Sequence, residues 1–170
     1  MKKLLLLLVL FEITLFSNPL FSQQDSVPNV VVTSSQFERV LVVRIKTGND
    51  LLEGLTKAVE MEKIKNAVII NGIGSVTQIS IHTVKLSTFP TQNIFLTEKN
   101  PYDILNINGF IVNGRIHAHI AFSDLKKTIG GHLEPGTLVY TFAIITIGVL
   151  SKDANMENFD NWKWDILGQK

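Results

Sequence analysis

The sequence predicts an α/β protein of the α+β type: a mixed, mostly antiparallel sheet with one main helix packed on it. Three observations carry this. Runs rich in β-branched residues recur between Phe37 and Leu150, with the length and spacing of strands. One stretch, after Asp50, has helical spacing behind a capping signal. Asn113-Gly114 is the strongest hairpin signal in the chain and makes its flanking strands antiparallel.

The first 22 residues read as a secretory signal peptide, outside the fold. Lys2 and Lys3 form a basic start and Leu4 to Phe11 an apolar run, interrupted by Glu12 and loosening at Asn18-Pro19. The run is too short and too interrupted for a stable membrane span, and cleavage is expected after Ser22. The mature protein is therefore expected to be exported, to the periplasm or the extracellular space, with no stable membrane anchor. The chain has no cysteine, which excludes disulfides and a cysteine-linked lipid. Removing Lys2, Lys3 and Glu12 leaves basic and acidic residues equal in number. A neutral surface disfavours nucleic-acid binding, which needs cations to displace counterions from phosphates. Residues 23–36 are expected to be a flexible leader, with Val30 to Val32 a possible edge strand.

The domain is expected over residues 37–150. Phe37 to Lys46 reads as a buried strand, broken by Thr47-Gly48-Asn49. Asp50 is the expected N-cap of a helix, with Glu53 completing a capping box and the helix ending near Lys65. Ala67 to Asn71 reads as a short buried strand, Gly72 to Ser75 as a turn, and Val76 to Leu86 as a second strand bearing His82. A hydrogen-bonded or exposed role is expected for that histidine. The Gly72-Ile73-Gly74 turn precedes a strand rather than a helix, so it lacks the setting of a phosphate loop. Ser87 to Pro101 reads as a long loop with a short strand near Ile94 to Leu96. Tyr102 to Val112 reads as a strand, bent or bulged at Gly109. Thr137 to Leu150 reads as a long central strand. Residues 151–170 form a tail whose Phe159, Trp162, Trp164, Ile166 and Leu167 are expected to clasp the domain or a neighbouring subunit.

Arg115 to Phe122 pairs across the Asn-Gly turn and holds the chemistry. Side chains alternate along a strand, so Arg115, His117, His119 and Ala121 share one face and Ile116, Ala118, Ile120 and Phe122 the other, apolar one. His117 and His119 stand about 7 Å apart along the strand and can lean onto one ion. His132 returns after the Asp124 to Lys127 turn, beside Gly130-Gly131, where the backbone can approach closely. Three histidines with an open fourth position form a catalytic-zinc arrangement that also suits other borderline metals.

The H-x-H strand, the short turn and the Gly130-Gly131-His132-Leu133 run together resemble the signature of the plants-and-prokaryotes conserved (PPC or PCC) domain. The resemblance covers about Phe37 to Leu150 and implies a compact α/β fold, a homotrimer, and a metal held by His117, His119 and His132. In plants the domain follows AT-hook DNA-binding motifs; in prokaryotes it usually stands alone. No arginine-glycine-proline hook core is present here. The Gly72 to Ser75 stretch is similar to the family's G-x-G-S turn. Where plant members carry Gly-Arg-Phe, this chain has Asn100-Pro101-Tyr102, so plant-type partner binding is not implied. Many relatives carry a glutamate in the last strand, where this chain has Ala143 or a neighbour. No carboxylate lies between Glu134 and Asp153.

Three functional readings follow. The leading one is an exported, homotrimeric PPC-type module that binds a divalent transition metal, zinc for preference, together with a small molecule or partner. The second is a metal-dependent hydrolase or lyase, in which zinc held by neutral imidazoles lowers the pKa of bound water to roughly 7. For that role Arg115 is the candidate anion stabiliser, and Glu134 or Asp124 the candidate acid. The third is a DNA-binding-like protein, which the charge balance and the signal peptide oppose.

Overall fold

A computed structural model of the chain describes residues 30–88, 91–157 and 159–160. The expected signal peptide and the tail residues Trp162, Trp164, Ile166 and Leu167 lie outside the described residues. Phe37–Lys46 forms β1, Leu51–Met61 α1, Ala67–Val84 β2, Asn93–Val112 β3, Arg115–Ser123 β4, Thr128–Leu133 β5 and Leu138–Leu150 β6. Among the described residues, six antiparallel strands and one helix bear out the expected class.

The strands run in the order β1-β6-β2-β3-β4-β5, and β5 also pairs with β2. That last pairing joins Ile81 to Leu133 and His82 to His132, so β2, β3, β4 and β5 close on themselves. Inside this ring lie Ile79 and Ile81 of β2, Ile104 and Ile107 of β3, Ile120 and Phe122 of β4, and Leu133 of β5, all buried. Period-two alternation then turns the polar residues of the same strands outward. As expected, β6 is central, lying between β1 and β2.

Helix α1 packs Leu51, Leu55 and Val59 into the main core with Ile45 of β1. Gly54 allows close approach, since a Cβ there would lie 2.8 Å from Ile45 Cδ1. Asp50 caps the helix as expected: Oδ1 accepts from the Glu53 amide at 2.9 Å. Its Oδ2 accepts from the Gly136 amide at 2.5 Å, tying the cap to the turn that precedes β6. Asp50→Ala is expected to lower stability by about 1–2 kcal/mol, read as a shift in urea midpoint.

Several boundaries differ from expectation, each for a physical reason. The helix ends at Met61 rather than near Lys65. Lys63 adopts φ 51°, and the Ile64 amide donates back to Val59 O at 2.9 Å. This Schellman-type closure turns Ile64 into the core. Strand β1 has the expected limits but is an edge strand, so Val40 and Val42 are exposed and Ile45 alone is fully buried. Residues 30–36 carry no strand; Gln36 O instead accepts from the Ser151 amide, which ties the segment to the end of β6.

The expected turn at Gly72 to Ser75 is continuous strand. A Cβ on Gly72 would lie 2.2 Å from Ile107 Cγ2, and one on Gly74 2.2 Å from Phe142 O. The glycines let β2 lie tightly between two neighbours while its register to β6 shifts. The expected loop at 87–101 is largely the start of β3. Pro101 is accommodated because the β2 register jumps from Val76↔Tyr102 to Gln78↔Lys99. Asn100 and Pro101 therefore stand opposite Thr77 alone, in a bulge that needs no proline N–H.

Candidate metal centre

Local chemistry sets the register that gathers the histidines. Asn113 and Gly114 adopt φ 51° and 79°, the positive values of a type I′ hairpin, and pair Val112 with Arg115. His117 then stands opposite Phe110 and His119 opposite Asn108. Gly109 is not a bulge but a close approach: a Cβ there would lie 2.1 Å from His117 O. At the next turn Asp124 Oδ1 accepts from the Lys126 and Lys127 amides at 2.7 and 2.8 Å. That turn brings His132 opposite His119.

The two glycines before His132 have separate causes. A Cβ on Gly130 would meet Ile120 O of β4 at 2.7 Å, and one on Gly131 would meet His82 O of β2 at 2.6 Å. Short strand β5 is wedged between two backbones, and only glycine fits on each side. His132 is thereby held between His119 on β4 and His82 on β2, its register partners.

His117, His119 and His132 each offer a ligand atom within 4.8 Å of the other two. Ring centroids lie 5.6 Å apart for His117 and His119, 4.8 Å for His117 and His132, and 5.4 Å for His119 and His132. Tetrahedral zinc with Zn–N near 2.0–2.1 Å needs nitrogens about 3.4 Å apart, so the three rings would have to turn toward one another to close on such an ion. Burial, then the neighbouring histidines, push His132 down to about 4. Burial first, then His117 and His82, lower His119. Both rings therefore keep a free lone pair at neutral pH, as a metal ligand must. The donor set fits a borderline divalent metal.

Two residues without a local sequence signal complete the surroundings. Asp160 Oδ1 lies 3.0 Å from His117 Nδ1, and the same carboxylate is paired with Arg115. With Nδ1 donating to Asp160, His117 would keep Nε2 available as a donor, the carboxylate support that a metal-binding histidine usually has. Asp160→Ala is expected to weaken zinc affinity about 10–100-fold, measured by competition with a chromogenic chelator. Next to Asp160 in the tail, Ala154 and Met156 are buried against Val112 with Leu150 packed alongside. The described part of the tail packs on the domain through Ala154 and Met156, while Phe159 is exposed.

His82 joins the cluster from β2, its ring stacked 4.5 Å from His132 and its Nδ1 2.5 Å from Glu134 Oε1. Glu134 thus approaches the cluster through His82, and Arg115 through Asp160. Asp124 does not: it serves the β4–β5 turn and accepts from Asn100 Nδ2 at 3.1 Å. Ala143 is fully buried and brings no proton-transfer group.

The fold and this site define a small antiparallel α+β domain with an imidazole cluster on the outside of a closed strand ring. The chain belongs to the Plants and Prokaryotes Conserved (PCC) domain family, whose model matches residues 32–151. Among solved structures it is similar to the metal-containing protein AF0104 from Archaeoglobus fulgidus, at 21% identity and TM-score 0.66, covering 78% of this chain and 94% of that one. It is also similar to a plant- and prokaryote-conserved (PPC) protein from Pyrococcus horikoshii, at 24% identity and TM-score 0.60, covering 72% and 85%. A stretch of 110 residues is 31% identical to the bifunctional protein GlmU of Synechococcus sp. (strain JA-3-3Ab), covering 64% of this chain and 17% of that protein. The chain thus spans about a sixth of the length of the curated relatives it matches.

Proposed function

We propose that the protein is an exported PCC-domain module that holds a transition metal, zinc for preference, through His117, His119 and His132, and binds a small ligand or a partner there. The convergence of three ligand atoms within 4.8 Å on the outer face of β4 and β5 carries this reading. The carboxylate on His117 and the neutral state of His119 and His132 support it, as does the description of the Archaeoglobus protein as metal-containing. Export is supported by the basic start and apolar run of residues 2–11. A homotrimer is supported by the apolar side chains that the isolated subunit exposes on three adjacent strands: Val40 and Val42 on β1, Tyr140 on β6 and Ile73 on β2. Titrating Zn²⁺ into metal-free protein by calorimetry tests the metal reading. One ion per chain supports it; no heat of binding overturns it.

One observation favours a second reading, a metal-dependent hydrolase or lyase. Arg115 and Glu134 flank the histidines, and the His117 side chain is 46% exposed, so a substrate could reach an ion held there from solvent. Zinc at such a position supplies an activated water at neutral pH. Turnover of simple esters by zinc-loaded protein, lost in Arg115→Ala with the metal retained, distinguishes this reading from a binding module. Nucleic-acid association has the least support, because residues 23–170 balance in charge.

A further inference from the structure

We propose that His82, His132 and Glu134 form a second seat for a divalent cation, with two imidazole nitrogens and one carboxylate oxygen as donors. The three ligand atoms lie within 4.8 Å of one another. Two histidines with one carboxylate hold zinc in some hydrolases and ferrous iron in non-haem oxygenases. The seat is built by register rather than by chance surface proximity. His82 and His132 are directly paired across β2 and β5, and the Glu134 amide donates to Ser80 O at 3.0 Å, fixing the carboxylate's backbone two residues from His132. Phe95 packs at 5.2 Å against His82. The His82 and Glu134 side chains are only 18% and 25% exposed.

His82 Nδ1 lies 2.5 Å from Glu134 Oε1, so the two donor atoms already face one another. A cation arriving between them would replace that contact and take both donors. The carboxylate makes this seat harder in character than the all-imidazole one and better suited to Fe²⁺, Mn²⁺ or Co²⁺. Because His132 serves both seats, a chain holds one ion at a time, in one seat or the other. The seat goes beyond the proposed three-histidine site, since only His132 is common to the two.

The test is equilibrium dialysis of Co²⁺ against the full chain, comparing wild type with the His117→Gln/His119→Gln variant. The double variant is expected to hold one Co²⁺ per chain, within about a hundredfold of wild-type affinity, and to lose it when His82→Gln or Glu134→Gln is added. A folded double variant that binds no Co²⁺ while wild type does overturns the second seat alone. Absence of binding by wild type overturns both seats. Binding by the double variant that survives His82→Gln and Glu134→Gln also overturns it. If the double variant does not fold, His119→Gln alone, with and without His82→Gln, gives the same comparison.

Discussion

His132→Ala is expected to reduce metal binding more than any other single substitution, below detection at micromolar Zn²⁺. A structural zinc site stabilises a small domain by about 10–16 kcal/mol over four ligands, so each ligand accounts for roughly 3 kcal/mol, a hundredfold or more. Among the described residues His132 is the one common to both groups that could hold an ion, so its loss is expected to leave neither group complete. His119→Ala removes a ligand from only one triad and is expected to retain weaker binding through the other. Calorimetric titration of both variants against wild type shows the ranking. Equal loss in the two variants would mean that His132 serves a single seat.

Phe122→Ala is expected to cost about 3–5 kcal/mol of folding stability, the largest effect of any change on the histidine strand. Phe122 is fully buried within the strand ring, its ring centroid 6.3 Å from that of Tyr102. Its side chain points inward from β4 while His117 and His119 point outward, so the packing that anchors the strand also presents the ligands. Urea unfolding of metal-free protein separates the two roles. Phe122→Ala should lower the midpoint strongly, whereas His119→Ala, which removes an outward-facing side chain, should leave it within about 0.5 kcal/mol of wild type.

The histidine strand was legible in the sequence because everything that shapes it is local. Alternation from Arg115 to Phe122 assigns the two faces, and Asn113-Gly114 dictates the hairpin and its register. The N-cap at Asp50 is equally local. Gly72, Gly74 and Pro101 misled because glycine and proline are turn signals only when nothing packs against them. In β2 the glycines admit neighbouring backbones and side chains, and in β3 the proline occupies a bulge, both decided by partners distant in sequence. The hydrogen-bonded role expected of His82 is met by Glu134, but its approach to His132, like that of Asp160 to His117, had no local signal for the same reason. His82 reaches His132 only because β5 pairs back onto β2, a closure set by the glycines at 130 and 131 rather than by any local pattern. Asp160 meets His117 from 43 residues away in sequence, a contact that ordinary tail composition does not announce.

The central claim is the metal, and its most direct test is elemental analysis of the purified protein beside a His117→Ala/His119→Ala/His132→Ala variant. The structure predicts a near-stoichiometric transition metal in the wild type, with zinc foremost, and none in the variant. A folded wild-type protein that holds no metal, even after incubation with zinc, would contradict it and leave the histidines as structural side chains.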